Sequence, residues 1–242
     1  MAVLDFQPFG RNAAVTTPLD IVHMRLGNSP VFVLLSEKHS DNATIADNVQ
    51  ATVELLDQGI ANRIYTEDFF DWNIREAVEK EACKLFNCAN LEERSRQVHE
   101  GYANEAEIFA DLRSVPQSRF KISFPRWVLY MRPNAKIFSV EHPDLKREAD
   151  AVADQVGGEP VQLADPEAER LRKIKKARDN DVHRRREVAF FSTAIADAQN
   201  EFAVVLNAGG YHNPWIARLL EGEGFGYILT RPPNYTDELV GG

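Results

Sequence analysis

The chain has 242 residues, 44% of them hydrophobic, and a net charge of −9. That length and apolar content suit one α/β domain with a substantial core. The acidic balance argues against a general binder of phosphate backbones, and no apolar run approaches the roughly 18 residues of a membrane span.

Met1–Phe6 lacks the basic start and apolar stretch of a secretory signal. Cys83 and Cys88 are too few for a disulfide framework, and their spacing is not that of a metal or redox pair. These features lead us to expect a reduced, cytoplasmic protein.

Residues 1–30 show no clear periodicity and read as a wrapping segment with one short element at most. Val31-Phe32-Val33-Leu34-Leu35 is a continuously apolar run, as in a strand buried on both faces of a parallel sheet. It ends in Ser36-Glu37-Lys38-His39. Asp41 and Asn42 are good helix caps. Ile45, Val49, Val53 and Leu56 then recur at helical spacing, and Gly59 closes the helix. Arg63–Glu67 is a second strand, so residues 31–67 read as a βαβ unit.

Residues 71–115 look helical, with a cap at Asn104. Phe120, Ile122 and Phe124 alternate until Pro125 breaks the pattern, leaving strand or irregular cover open. The span 71–135 is thus expected to be a mostly helical insertion. Its Trp72, Trp127, Arg119 and Arg126 either shape specificity or, for the aromatics, simply fill core. A third strand, 137–140, precedes a helix from about Pro143 to Gly157. The basic run Arg170–Arg186 reads mainly as a solvated helix face. It leads into a helical stretch near 180–198. The last unit is a strand at 202–206, the loop Gly209-Gly210-Tyr211-His212, a helix opened by Asn213 and Pro214, and a strand at 226–230. We therefore expect a mainly parallel central sheet flanked by helices, with the insertion between N- and C-terminal βαβ halves.

Each half has a buried strand running into a loop that ends in histidine. Ligands of open parallel sheets bind outside the carboxyl ends of strands. His39 and His212 fall there, and become neighbours if strands 31–35 and 202–206 pair in parallel, within about 10 Å of each other. His212 adjoins a helix N-terminus, which favours the neutral imidazole that a metal ligand or general base requires. Gly209 and Gly210 let the chain turn sharply there. Glu37, Glu67 and Glu141 each end a strand at the same edge. Histidines and carboxylates so placed can hold a divalent metal, through Glu37, His39, Glu67 and His212, or activate water without one. The remaining histidines, His23, His99, His142 and His183, read as structural.

Ser36–His39 with Glu67, then Arg184-Arg185-Arg186-Glu187, Ala203–Leu206, Gly209–His212 and Gly224, resemble in order the motifs of the erythromycin esterase and ChaN-like superfamily, which includes the TraB/PrgY and TIKI proteins. Ser36 stands where those families carry glycine. The resemblance implies a hydrolase acting on an ester or amide bond of a small-molecule or peptide substrate. His39 and His212 would be ligands or bases. Glu37 and Glu67 would bind metal or orient water, and one of Arg184, Arg185 and Arg186 would stabilise an oxyanion. Arg184, Arg185, Tyr65 and Tyr211 are the expected substrate contacts. The alternatives are a non-enzymatic binder of haem or another anionic small molecule, with Tyr65 and Tyr211 as axial ligands, and a catalytically inactive interaction domain.

Overall fold

The computed structural model describes residues 1–38, 41–67, 74–116, 122–157, 166–210, 212–233 and 235, with the backbone alone over 153–157 and 166–179. The first 30 residues hold β1 (Ala2–Asp5), a short 3-10 turn (Gln7–Phe9), β2 (Ala14–Thr17) and β3 (Asp20–Arg25). β1 and β2 form a separate antiparallel pair, and β3 is an edge strand of the main sheet. This is more structure than the unpatterned sequence announces. All six residues of β3 are exposed, so no buried face imposes an alternation to read.

The chain continues through β4 (Asn28–Glu37), α1 (Asn42–Asp57), β5 (Ala61–Thr66), α2 (Ile74–Phe86), α3 (Leu91–Glu100), α4 (Glu105–Ser114), α5 (Phe124–Met131), β6 (Lys136–Ser139), α6 (Pro143–Gly157), α7 (Pro166–Ala198), β7 (Ala203–Gly209), α8 (Asn213–Glu223) and β8 (Phe225–Arg231). The main sheet has the order β3-β8-β4-β7-β5-β6. Every pairing in it is parallel except β3 with β8. The two βαβ units do not stand side by side. β7 lies between β4 and β5, and β4 lies between β7 and β8, so the halves interleave. This arrangement makes β4 and β7, the strands that feed the two histidine loops, direct neighbours. Val31 aligns with Ala203 and Glu37 with Gly209.

The pleat of β4 divides its run between two cores. Val31, Val33 and Leu35 join the cluster that includes α1 and the α2–α5 helices. Phe32 and Leu34 join Phe190, Ala194, Ile216 and Leu220 of α7 and α8. Helices therefore cover both faces, and each fully buried side chain of this size contributes about 1.5–3 kcal/mol. Asp41 caps α1 by accepting from the Ala43 amide at 3.0 Å, and Asn104 caps α4 by accepting from Glu107 at 3.1 Å. The stretch around Pro125 is neither strand nor irregular cover. It opens α5 with proline in the first turn, where its missing N–H costs nothing.

The helices between β5 and β6 are held by specific contacts. Asn42, buried at the start of α1, donates to the Val115 carbonyl at 3.1 Å and accepts from the Ile122 amide at 3.0 Å. Trp127 packs edge-on to Tyr130, and Arg126 pairs with Glu81 at 2.6 Å. Trp72 and Arg119 lie outside the described residues. The Cys83 and Cys88 thiols sit 3.9 Å apart because Asn87, at φ 50°, turns the chain back on α2. No helix is long and apolar enough to cross a membrane among the described residues.

Arg132, after α5, ties the end of α1 to the start of α4 by pairing with Asp57 and Glu105. The Arg132 guanidinium holds the Glu105 carboxyl below the ordinary value of 4.5. A carboxylate with a lowered folded-state value stabilises the fold above its ordinary value, and that contribution is lost as pH falls through the lowered one. Wild type should therefore melt above Glu105→Gln at neutral pH, and the gap should close below pH 4.5. A gap that stays constant in thermal melts across that range would contradict this role.

Candidate active site

The carboxyl ends of β4, β7 and β5 converge. The Gly210 amide donates to the Glu37 carbonyl at 3.0 Å, and the Gly209 amide donates to Glu67 Oε1 at 2.9 Å. Glu67, one residue past β5, is thereby fixed against the loop that leads to His212. A parallel β4–β7 pair brings the two loop regions to one edge, as the apolar runs imply. His39 and Tyr211 lie outside the described residues, so the separation of the two histidines does too.

His212 is the first residue before α8 and only 5% exposed. Its Nδ1 meets Glu187 Oε1 of α7 at 3.1 Å, and its Nε2 faces Glu67 Oε2 at 3.6 Å. The rings of Phe190 and His183 flank it, each with centroids 5.6 Å away. An ionised carboxylate only accepts hydrogen bonds. Glu187 therefore accepts from Nδ1 and holds the ring with Nε2 at the strand edge beside Glu67.

A second group of polar side chains lies beneath the same edge on the α1 side. Asn207 donates through Nδ2 to Glu37 Oε2. Asn48 of α1 donates to Asn207 Oδ1 at 3.0 Å and to the Ser36 carbonyl at 3.1 Å. Glu37, Asn48 and Asn207 are all buried. Glu37 is thus held by Asn207, while Glu67 stands with His212.

Ser36 is the last residue but one of β4, and Asn213 of α8 donates to its Oγ at 3.2 Å. Asn87 is the one non-glycine residue at positive φ among the described residues, so position 36 has no conformational need for glycine. Gly209 and Gly210 are not at positive φ either. The chain does turn sharply here, with the His212 amide donating to the Gly209 carbonyl at 2.8 Å, but what requires glycine at 210 is space. A Cβ there would lie 1.9 Å from the Tyr235 hydroxyl, so glycine makes room for a phenol seated on the loop. The helix also begins one residue earlier than expected, with His212 rather than Asn213 in the cap position and the proline still in the first turn.

The three arginines of α7 separate. Arg184 lies over the Trp215 ring at 4.8 Å and is exposed. Arg185 is exposed and pairs with Glu148 at 2.7 Å and Asp181 at 3.2 Å. Arg186 is buried, and its fork closes on Glu141 through Nη2 at 2.5 Å and Nε at 3.2 Å. Its Nη1 points toward His183 Nδ1 at 3.4 Å. Arg186 therefore braces the site by fixing Glu141, instead of offering its fork to an oxyanion.

Tyr65 is also placed elsewhere. It is fully buried and donates to Asp197 Oδ2 at 2.8 Å. Burial, reinforced by Asp197, raises the phenol well above its ordinary value. Asp197 is ten residues beyond Glu187 on α7, about 15 Å along a helix. Tyr65 thus closes the far end of this face and is committed there, which does not fit an axial haem ligand.

Of the expected metal set, His212 and Glu67 stand together, Glu37 accepts from Asn207, and His39 lies outside the described residues. Among the described residues no three His, Cys, Asp or Glu side chains converge on one point.

Glu187 and His183 complete the site, although the sequence assigns no role to Glu187 within its arginine motif and reads His183 as structural. Their signal is the stripe His183, Glu187, Phe190 and Ala194 at helical spacing. It faces His212 and the α8 core, and the adjoining arginine run obscures it. Asn207, directly after an apolar run, gives no signal beyond its position. No family model, curated protein or solved structure matches the chain.

Proposed function

We propose that this edge hydrolyses an ester or amide bond with His212 as general base. The observation that carries the reading is the Glu187 Oε1 contact to His212 Nδ1 at 3.1 Å, which fixes the ring as the orienting carboxylate does in acid–base triads. Nε2 and Glu67 Oε2 are near enough to share one water, with Nε2 taking its proton as the oxygen attacks a carbonyl. The proton then passes from Nε2 to the leaving group. The positive end of α8, beside His212, is the group best placed to favour the developing oxyanion, in the role expected of Arg186.

The order of motifs supports a place in the erythromycin esterase and ChaN-like superfamily. On this reading α2–α5 are an insertion between the two halves, anchored by Asn42. The substrate is a small molecule or peptide. The net charge of −9 supports a cytoplasmic enzyme that does not act on nucleic acid.

The test is hydrolysis of ester and amide libraries by wild type and by His212→Ala protein at equal concentration. Release of acid from at least one library member by wild type, and its loss in the variant, is the expected result. Hydrolysis that persists unchanged in His212→Ala, or no hydrolysis by wild type of any member, would overturn the proposal.

A further inference from the structure

Among the described residues β3 is an edge strand of the main sheet and pairs with β8 on one side only. Ile21, Val22 and Met24 are 40%, 46% and 43% exposed, and Leu26, just beyond, is 56% exposed. Such an edge offers backbone donors and acceptors to another strand unless lysine, proline, a bulge or a covering element guards it. The segment Asp20-Ile21-Val22-His23-Met24-Arg25 has neither lysine nor proline. A register shift at Val22 is the single guard within it.

The segment is also complementary to itself. Val22 is the extra residue of the bulge, so when the segment is laid antiparallel to a second copy about a two-fold axis through His23, Asp20 faces Arg25, Ile21 faces Met24 and His23 faces its own copy. Sliding the register by one residue sets Asp20 against Met24 or Leu26 and loses both charge pairs. Asp20 also aligns with Arg231 of β8, and Arg25 pairs with Glu221 at 3.2 Å. The matched register therefore forms a row of alternating sign across the contact, from Arg231 and Asp20 of one copy to Arg25 and Glu221 of the other. Opposite charges facing each other across strands are favourable, and like charges are not.

We propose that β3 is a homodimer interface, pairing antiparallel with β3 of a second copy to join two sheets into one. The contact involves one short bulged strand per chain and is smaller than the standard interface of about 1,600 Å². The dimer should accordingly be weak, with dissociation in the micromolar range.

Sedimentation velocity over a concentration series tests this. Wild type should pass from monomer to dimer by about 100 μM. Asp20→Arg sets arginine against Arg25 at both ends of the contact, and Arg25→Asp sets aspartate against Asp20. Each should weaken association at least about tenfold. The double swap Asp20→Arg/Arg25→Asp restores opposite charges in the same register and should return the dissociation constant to within about threefold of wild type. Both residues are exposed, and circular dichroism checks that each variant remains folded. Met24→Lys, which guards the edge without touching either charge, should also give a monomer. A wild type that stays monomeric at about 100 μM would overturn the proposal. So would a dimer indifferent to the single changes, or a double swap that fails to restore association.

Discussion

His212→Ala should lower turnover by at least about 100-fold on whichever ester or amide the protein hydrolyses, the lower range for a positioned acid–base group. Glu187→Gln should cost about 10- to 100-fold. The amide oxygen can still accept from Nδ1, but the negative charge that stabilises the imidazolium is gone. The two losses should not add. Without the imidazole, Glu187 has nothing to orient, so the double variant should match His212→Ala within about threefold. His99→Ala serves as the control. That ring contacts the Ser95 carbonyl at 2.8 Å and Glu105 at 3.1 Å, a contact that braces α3 against α4, and turnover of the folded variant should be unchanged. Additive losses for Glu187→Gln and His212→Ala would mean that the carboxylate acts on something other than the histidine.

Arg186→Ala should destabilise the fold by about 3–5 kcal/mol, as removal of one partner from a buried ion pair does. The Glu141 side chain is 1% exposed and the Arg186 side chain 7%. Truncating the arginine leaves a carboxylate with neither water nor its fork. Arg186→Met combined with Glu141→Met should recover most of the loss, because two apolar side chains of similar volume carry no uncompensated charge. Arg186→Lys should fall between the two, keeping the charge but losing the bidentate geometry. Urea unfolding of the four proteins gives the comparison directly. If Arg186→Ala unfolds at the wild-type midpoint while turnover collapses, Arg186 acts on substrate after all, and its bracing role is wrong.

Much of the sheet is legible because burial on both faces writes itself as an unbroken apolar run. Val31–Leu35 and Phe202–Leu206 are such runs, and they lie within or beside β4 and β7. β3 escapes because an uncovered edge strand has no inner face to alternate with an outer one. Pro125 misleads because the same residue that ends a strand also opens a helix, and only the residues after it decide. Strand order is not legible. The insertion of β7 between β4 and β5 depends on pairing across distant sequence, to which local periodicity is blind.

The site divides along the same line. His212, Glu67 and Glu37 stand out because strand ends can be read from the apolar runs before them. Glu187 reads as the tail of a basic cluster, since nothing local says which face of α7 turns inward. Arg186 stands out too, but its task is hidden, because its partner Glu141 lies 45 residues away.

The interleaving of strands also bears on how the chain reaches this state. Val31 pairs with Ala203, so the central ladder closes a loop of roughly 170 residues, and such non-local pairing slows folding. Until β7 is synthesised and docks, β4 and β5 face each other across a missing strand, with two inner edges unpaired. A nascent chain that ends before Ala203 would expose both edges to neighbouring chains and depend on chaperones to stay soluble. The ladder that positions the candidate base therefore cannot form before Ala203–Gly209 has been made. Catalytic competence and completion of the sheet should emerge together.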